Sequence, residues 1–261
     1  RRNECNSLWG EKGKESMLPF FYTNPILIVA ALIPAIILLI WVYKADKLDK
    51  EPPLLLFSLV LYGIIATVLA MVAERVGSWL LDLFLEEGSL AYQAIFYFVI
   101  VAFSEEGAKY LLLKRRTWNS PAFNCQFDGV VYAVFVSLGF ALWENIGYVT
   151  MYGLGTALVR AVTAVPGHAC FGVFMGAWYG LSKRYQGLGH EGVSKLCRAL
   201  ALLFSAFLHG CYDFIAALEN PHYGWAFAAF VAILFVVALF LVRKMSKHDR
   251  YVNNGYDTFF P

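Results

Sequence analysis

Residues 89–114 read SLAYQAIFYFVIVAFSEEGAKYLLLK. The run exceeds the roughly 20 apolar residues that a helix needs to cross a bilayer. Yet it carries Glu105, Glu106 and Lys109 in its second half. A charge at that depth costs roughly 3 kcal/mol or more unless it is paired, hydrated or bound to a metal. The stretch therefore predicts a membrane helix that carries a polar site.

Six further apolar runs of spanning length surround it, at about 25–43, 53–73, 129–152, 157–182, 197–218 and 224–242. With 59% hydrophobic and only 15% charged residues among 261, the chain has too little polar surface for a water-soluble domain of that size. Mean hydropathy is +0.58. In hydrocarbon only helices and closed barrels satisfy every backbone group, and continuous rather than alternating apolar runs select helices. The expected fold is all-α: a polytopic transmembrane helical bundle of about seven helices in one domain. No internal repeat divides it.

Lys44, Lys47 and Lys50 follow the first run, Lys114–Arg116 the third, Lys183, Arg184 and Lys195 the fifth, and Arg243, Lys244, Lys247 and Arg250 the seventh. The positive-inside bias then puts the N-terminus outside and the C-terminus, with a tail from 244 to 261, in the cytoplasm. Residues 1–24 become an extracytoplasmic segment. Its first 16 residues hold four basic side chains, fit that side poorly, and are expected to stand outside the native fold, as leader or appended sequence. The first run is read as a retained helix, not a cleaved leader.

A net charge of +2 with no basic arm excludes nucleic acid as a partner. The five cysteines show no CxxC spacing and are read as small apolar fillers. Between Gly77 and Gly88 the run SWLLDLFLEE is amphipathic and too short to cross, so it is expected to lie as an interfacial lip.

More polar residues stand inside other runs. Glu144 and Asn145 sit among aromatics in the fourth. The fifth has Pro166-Gly167-His168, then a Gly172, Gly176, Gly180 stripe that lets another helix approach closely. In the sixth, His209 and Asp213 are four residues apart and share one helical face. That spacing suits two ligands of one metal or a hydrogen-bonded His and Asp. At 1.5 Å per residue, Glu144, His168, His209 and Asp213 lie roughly 18–25 Å from the cytoplasmic ends of their helices, and Glu105 at about 14 Å. Packing residues without a shared task would not converge in height.

EExxK (Glu105, Glu106, Lys109), FxxxE (Phe140 to Glu144) and HxxxD (His209 to Asp213), in that order on successive runs, resemble the PrsW intramembrane proteases. The acidic, proline-ended segment Lys47–Pro52 is similar to the loop found there. Resemblance covers about 25–218, and it makes 25–243 a membrane-embedded protease domain in the bacterial cytoplasmic membrane. It implies an endopeptidase acting on a membrane-anchored protein or peptide near the extracytoplasmic side, with first-step cleavage of an anti-sigma factor as the family's known role. Glu105 is then the expected general base, and Glu106 pairs with Lys109. Related CAAX-type enzymes have His where this chain has Glu144 and Asn where it has Asp213. Here the excess of carboxylates calls for a divalent cation, zinc by the histidines, on Glu144, His168, His209 and Asp213. Two other classes compete: a proton-coupled transporter, which ordinarily shows matched broken helices, and a catalytically silent immunity or scaffold protein of the same fold.

Overall fold

The computed structural model describes residues 25–218 and 221–252. The expected extracytoplasmic segment 1–24 and the tail beyond residue 252 lie outside the described residues. Helix α1 spans Pro25–Ala45 and α2 spans Pro53–Asp82. The third crossing is one rod in three parts: α3 at Leu90–Ile95, a π-helical segment at Phe96–Val101, and α4 at Ala102–Thr117. Then come α5 (Asp128–Tyr152), α6 (Leu154–Val162), α7 (Ala164–Gly187), α8 (Glu191–Ala216) and α9 (Pro221–Lys247). No β-strand occurs among the described residues; Cys125 and Tyr251 form one isolated bridge.

Among the described residues six of the seven expected crossings are long and apolar enough to span, the fifth crossing being built from two helices, and the third expected crossing is the rod interrupted by its π segment. Large apolar side chains such as Ile37, Leu61, Ile233 and Phe240 stay exposed around the bundle, as lipid-facing surface does. The core runs along α5, which is buried almost continuously from Asp128 to Leu142 and packs on α7, α2 and α1.

Glycine makes the two tightest crossings. A Cβ on Gly176 of α7 would stand 2.4 Å from the Gly129 carbonyl oxygen of α5, and one on Gly139 of α5 would stand 2.3 Å from the Val60 oxygen of α2. Close backbone approach of this kind substitutes for the hydrophobic drive that lipid removes. The Gly172–Gly180 stripe thus has α5 as its partner.

The structure differs from the sequence reading at three points. Ser78–Asp82 is no separate interfacial lip but the last turn and a half of α2, because nothing between Gly77 and Asp82 interrupts the backbone ladder. The third run contains a π turn, in which the Ala102 N–H reaches back five residues to the Tyr97 carbonyl. Finally, the fifth run breaks at Thr163, three residues before Pro166. Pro166 has no N–H to continue the ladder from α6, and it is tolerated in the first turn of α7.

Both ends of the bundle are ordered. At the pole where the basic residues gather, Lys183 Nζ donates to the Trp118 carbonyl at 2.7 Å, and the Phe127 N–H donates to Asp249 Oδ1 at 2.8 Å. Beyond α9 the chain folds back, the Val252 N–H donating to the Asn124 carbonyl at 2.7 Å. In the connection between α1 and α2, burial pushes the Asp46 carboxyl up to about 6 and that of Glu51 to about 7. At the opposite pole, Gly153, at φ +82°, turns the chain from α5 into α6 within one residue.

Candidate active site

Lys109 is the hub. Its side chain is fully buried on α4, and its ammonium donates to Glu106 Oε1 at 2.7 Å, Glu105 Oε2 at 3.1 Å and His168 Nδ1 at 3.2 Å. It also lies 3.9 Å from the ring centroid of Phe140 on α5, a cation–π seat. The i, i+3 and i, i+4 spacings bring both glutamates within reach of one amine. Glu105 and Glu106 therefore share Lys109, where the sequence had suggested that Glu106 alone pairs with it.

Two histidines close the site from α7 and α8. His168 Nε2 is 2.8 Å from Glu144 Oε2 of α5, and with Lys109 donating to Nδ1 the ring is neutral with its proton on Nε2, donated to Glu144. His209 Nδ1 lies 3.0 Å from Glu106 Oε1 and 3.9 Å from Glu105 Oε2, while its Nε2 faces Asp213 Oδ2 at 3.2 Å. A neutral His209 can donate to only one of these carboxylates, so its other nitrogen needs a proton or a cation. The two imidazoles meet edge to face at 5.3 Å, and Phe171 stacks on His209 at 4.6 Å.

The expected residues thus come together, with a division of labour that the sequence had not drawn. One donor atom each from Glu105, Glu106, His168 and His209 lies within 4.8 Å of the others. Glu144 and Asp213, expected as ligands, stand behind the histidines on the far ring nitrogens. Carboxylates in that position ordinarily fix the tautomer and orientation of metal-binding imidazoles. Glu106 Oε2 is buried without a hydrogen-bond partner, an orphan acceptor beside two histidines. The donor chemistry and that unsatisfied oxygen fit a small divalent cation.

Three participants were missed. Arg160 on α6 lies 3.0 Å from Glu144 Oε2 and donates through Nε to Asn145 Oδ1 at 3.0 Å. Asn145 in turn donates to the Ala31 carbonyl of α1 at 2.9 Å, so this chain of contacts ties α1, α5 and α6 to the site. Glu74 of α2 is half-buried within electrostatic range of Glu105, Glu144 and Lys109. An arginine and a glutamate inside apolar runs were the available signals; the second run had been ended at 73, one residue short of Glu74. Phe171 carried no signal beyond being one aromatic among many.

Access is uneven. Glu106 is completely enclosed and Glu105 is 6% exposed, whereas the side chains of Glu144 and Asp213 are 21% and 23% exposed. The site opens toward those two carboxylates, near the pole away from the basic residues.

Residues 51–242 match the family described as PrsW family intramembrane metalloprotease. The chain is 31% identical over 240 residues to a protein named Protease PrsW from Clostridioides difficile (strain 630), covering 90% of this chain and 94% of that one. It is 32% identical over 221 residues to a Protease PrsW from Shouchella clausii (strain KSM-K16), covering 85% and 97%. A third, from Bacillus subtilis (strain 168), is 32% identical over 196 residues, covering 74% and 84%. No solved structure matches the chain.

Proposed function

Since the chain belongs to the PrsW family of intramembrane metalloproteases, we propose that it hydrolyses a peptide bond of a membrane-anchored protein at the Lys109-centred site, in the half of the membrane away from its basic pole. By the positive-inside bias that half is extracytoplasmic. On this reading the N-terminus lies outside and the C-terminus inside the bacterial cytoplasmic membrane, and the family resemblance supports an anti-sigma factor as the substrate class.

The carrying observation is the convergence of Glu105, Glu106, His168 and His209 within 4.8 Å. His209 would hold the cation through Nδ1 with Glu106 as the enclosed carboxylate ligand, and His168 would join them by exchanging the Lys109 hydrogen bond at its own Nδ1 for the cation; two imidazoles and a carboxylate suit zinc. When bound, zinc would acidify a water molecule and polarise the scissile carbonyl. Glu105, the more accessible of the glutamate pair, takes the proton of the attacking water and returns it to the leaving amine. Glu144 and Asp213 hold the histidine Nε2 protons, which turns the Nδ1 lone pair of His209 toward Glu106 and that of His168 toward Lys109. The Lys109 ammonium, in contact with both, offsets the repulsion between the Glu105 and Glu106 carboxylates. Lys109 and Arg160 are the only permanent cations among the contacts described at the site, against five carboxylates counting Glu74. That excess favours a divalent cation.

The test compares membrane-protein fragments in cells that express the wild type or Glu105→Gln. Wild-type-dependent fragments, cut on the extracytoplasmic side, are expected to vanish in the variant. Fragments that persist unchanged would remove the proteolytic role assigned to Glu105.

A further inference from the structure

A second acidic cluster lies at the basic pole, at the other end of α5 from the proteolytic site. Asp46 and Glu51 come from the α1–α2 connection, Asn124 and Asp128 from the entry into α5, and Asp249 from the chain after α9. Asp128 is fully buried, Asp46 is 1% exposed and Glu51 is 3% exposed. Carboxylates are almost never enclosed to that degree without a partner.

The hydrogen bonds follow a pattern. Asp128 Oδ2 accepts from the Asn124 and Cys125 amides at 3.0 and 2.6 Å, and Asp249 Oδ1 accepts from the Phe127 and Arg250 amides, both at 2.8 Å. Asn124 Nδ2 donates to Asp49 Oδ2 at 2.8 Å, and the Tyr132 hydroxyl donates to Glu51 Oε2 at 2.6 Å. One atom of each group is thus anchored. The remaining oxygens Asp128 Oδ1, Asp249 Oδ2 and Asn124 Oδ1, together with both oxygens of Asp46, are buried without a hydrogen-bond partner. The Glu51 amide approaches Asp46, and the Glu51 and Asp128 carboxyls approach each other, without closing a well-formed bond. Asp46, Asp128 and Asp249 lie within electrostatic range of one another, and donor atoms of Asp128, Asp249 and Cys125 fall within 4.8 Å. Lys50 cannot quench them all, since its ammonium is committed to the Tyr43 and Asp46 carbonyls.

The geometry points to a second metal site here, a hard divalent cation of the magnesium or calcium class held by Asp128 and Asp249, with the buried unpartnered oxygens of Asp46 and Asn124 as its further ligands. Anchored carboxylates with bare second oxygens are what a cation needs, and backbone amides fix Asp128 and Asp249 in that way before binding. Oxygen donors without an imidazole, and with a single thiol, select a hard cation over zinc. The cation clamps three chain segments that are distant in sequence. The site is independent of the proteolytic reading, since it shares no residue with that site and stands about 24 Å from Glu144 along α5, sixteen residues at 1.5 Å each.

The experiment uses the full chain in detergent or nanodiscs, carrying His168→Ala and His209→Ala so that zinc bound at the other site does not contribute. After treatment with a chelator, magnesium, calcium or zinc chloride is added singly, and bound metal and the thermal midpoint are measured. One equivalent of magnesium or calcium, with a rise in midpoint of about 3 °C or more at saturation, is expected. The same rise should disappear on adding Asp46→Asn or Asp249→Asn, which preserve shape. Magnesium and calcium arms separate the two ions. The proposal is overturned if neither ion binds or shifts the midpoint at 10 mM concentrations, on the order of saturation for weak sites. It is also overturned if zinc alone binds, or if the Asn variants respond as fully as their parent. If the Asn variants do not fold, the parent's own response decides. Variants that match the parent's cation-bound stability without any cation would reveal a proton-sharing acid cluster and would likewise overturn it.

Discussion

Glu105 and Glu106 are adjacent in sequence, yet enclosure separates their work. Glu106 is sealed between Lys109 and His209, while Glu105 keeps an edge toward the opening. Glu105→Gln is expected to lower kcat by about 10²- to 10⁴-fold, the usual share of a general base, with metal content unchanged. Glu106→Gln leaves a buried ammonium short of its nearest carboxylate and should destabilise the protein by about 3–5 kcal/mol. Thermal midpoints and metal content of the two purified variants read the difference, and equal stability losses would refute it. The far-side carboxylates give a second contrast. If Glu144 and Asp213 orient the histidines, Glu144→Gln and Asp213→Asn each weaken zinc binding by about 10- to 100-fold in chelator competition while stoichiometry stays at one. Complete loss of zinc at saturating concentration would make them ligands. The residue types and their common depth were legible in the sequence. Which carboxylate touches which nitrogen was not, because that depends on helix rotation, which apolar runs leave open. Arg160 escaped notice for a related reason: its charge is offset by Glu144 from another helix, a partnership that only the fold displays.

Elements explain how so many charges stay together in lipid. The π segment Phe96–Val101 widens the third rod just before Ala102, shifting the helical phase at which Glu105, Glu106 and Lys109 face inward. The aromatics at that turn lock it in place: a Cβ on Gly210 of α8 would come 2.5 Å from Phe98 Cδ1. No period in the sequence marks such a turn, since the residues on both sides are uniformly apolar. The same uniformity hid the Gly63–Gly139 crossing, although the glycine stripe of α7 was plain from its four-residue repeat. Gly139→Ala sets a methyl group against the backbone of α2, which cannot rotate away, and is expected to cost about 1–3 kcal/mol. Gly147→Ala, on the same helix with nothing within 4 Å, should be neutral or stabilising by up to about 1 kcal/mol. Unfolding midpoints of this pair separate close approach from helix propensity, and similar losses in both variants would count against the crossing.

On the scale of the whole molecule, α5 joins two poles of opposite character. One end carries Glu144 at the rim of the candidate active site, and the other begins at Asp128 in the oxygen-rich cluster. Between them the helix is enclosed by α1, α2 and α7, with glycine contacts that allow little sliding. The helical bundle and its spanning helices follow from run lengths. The second pole does not, because its ligands belong to connections and to the chain after α9, where no periodicity reports contact. A rigid rod between two sites should transmit position without coupling their free energies. Glu144→Gln and Asp128→Asn lie well beyond the roughly 10 Å within which substitutions usually interact. Their stability losses are therefore expected to add to within about 0.5 kcal/mol in the double variant. Thermal midpoints of the four proteins, measured in chelator and again with magnesium or calcium, close that cycle. Additivity under both conditions identifies two separate sites on a common scaffold. A coupling of 1 kcal/mol or more, on the order seen between contacting residues, that appears only when the cation is present would mean instead that the basic pole controls the geometry of the proteolytic one, through a shift of α5 against α2 and α7.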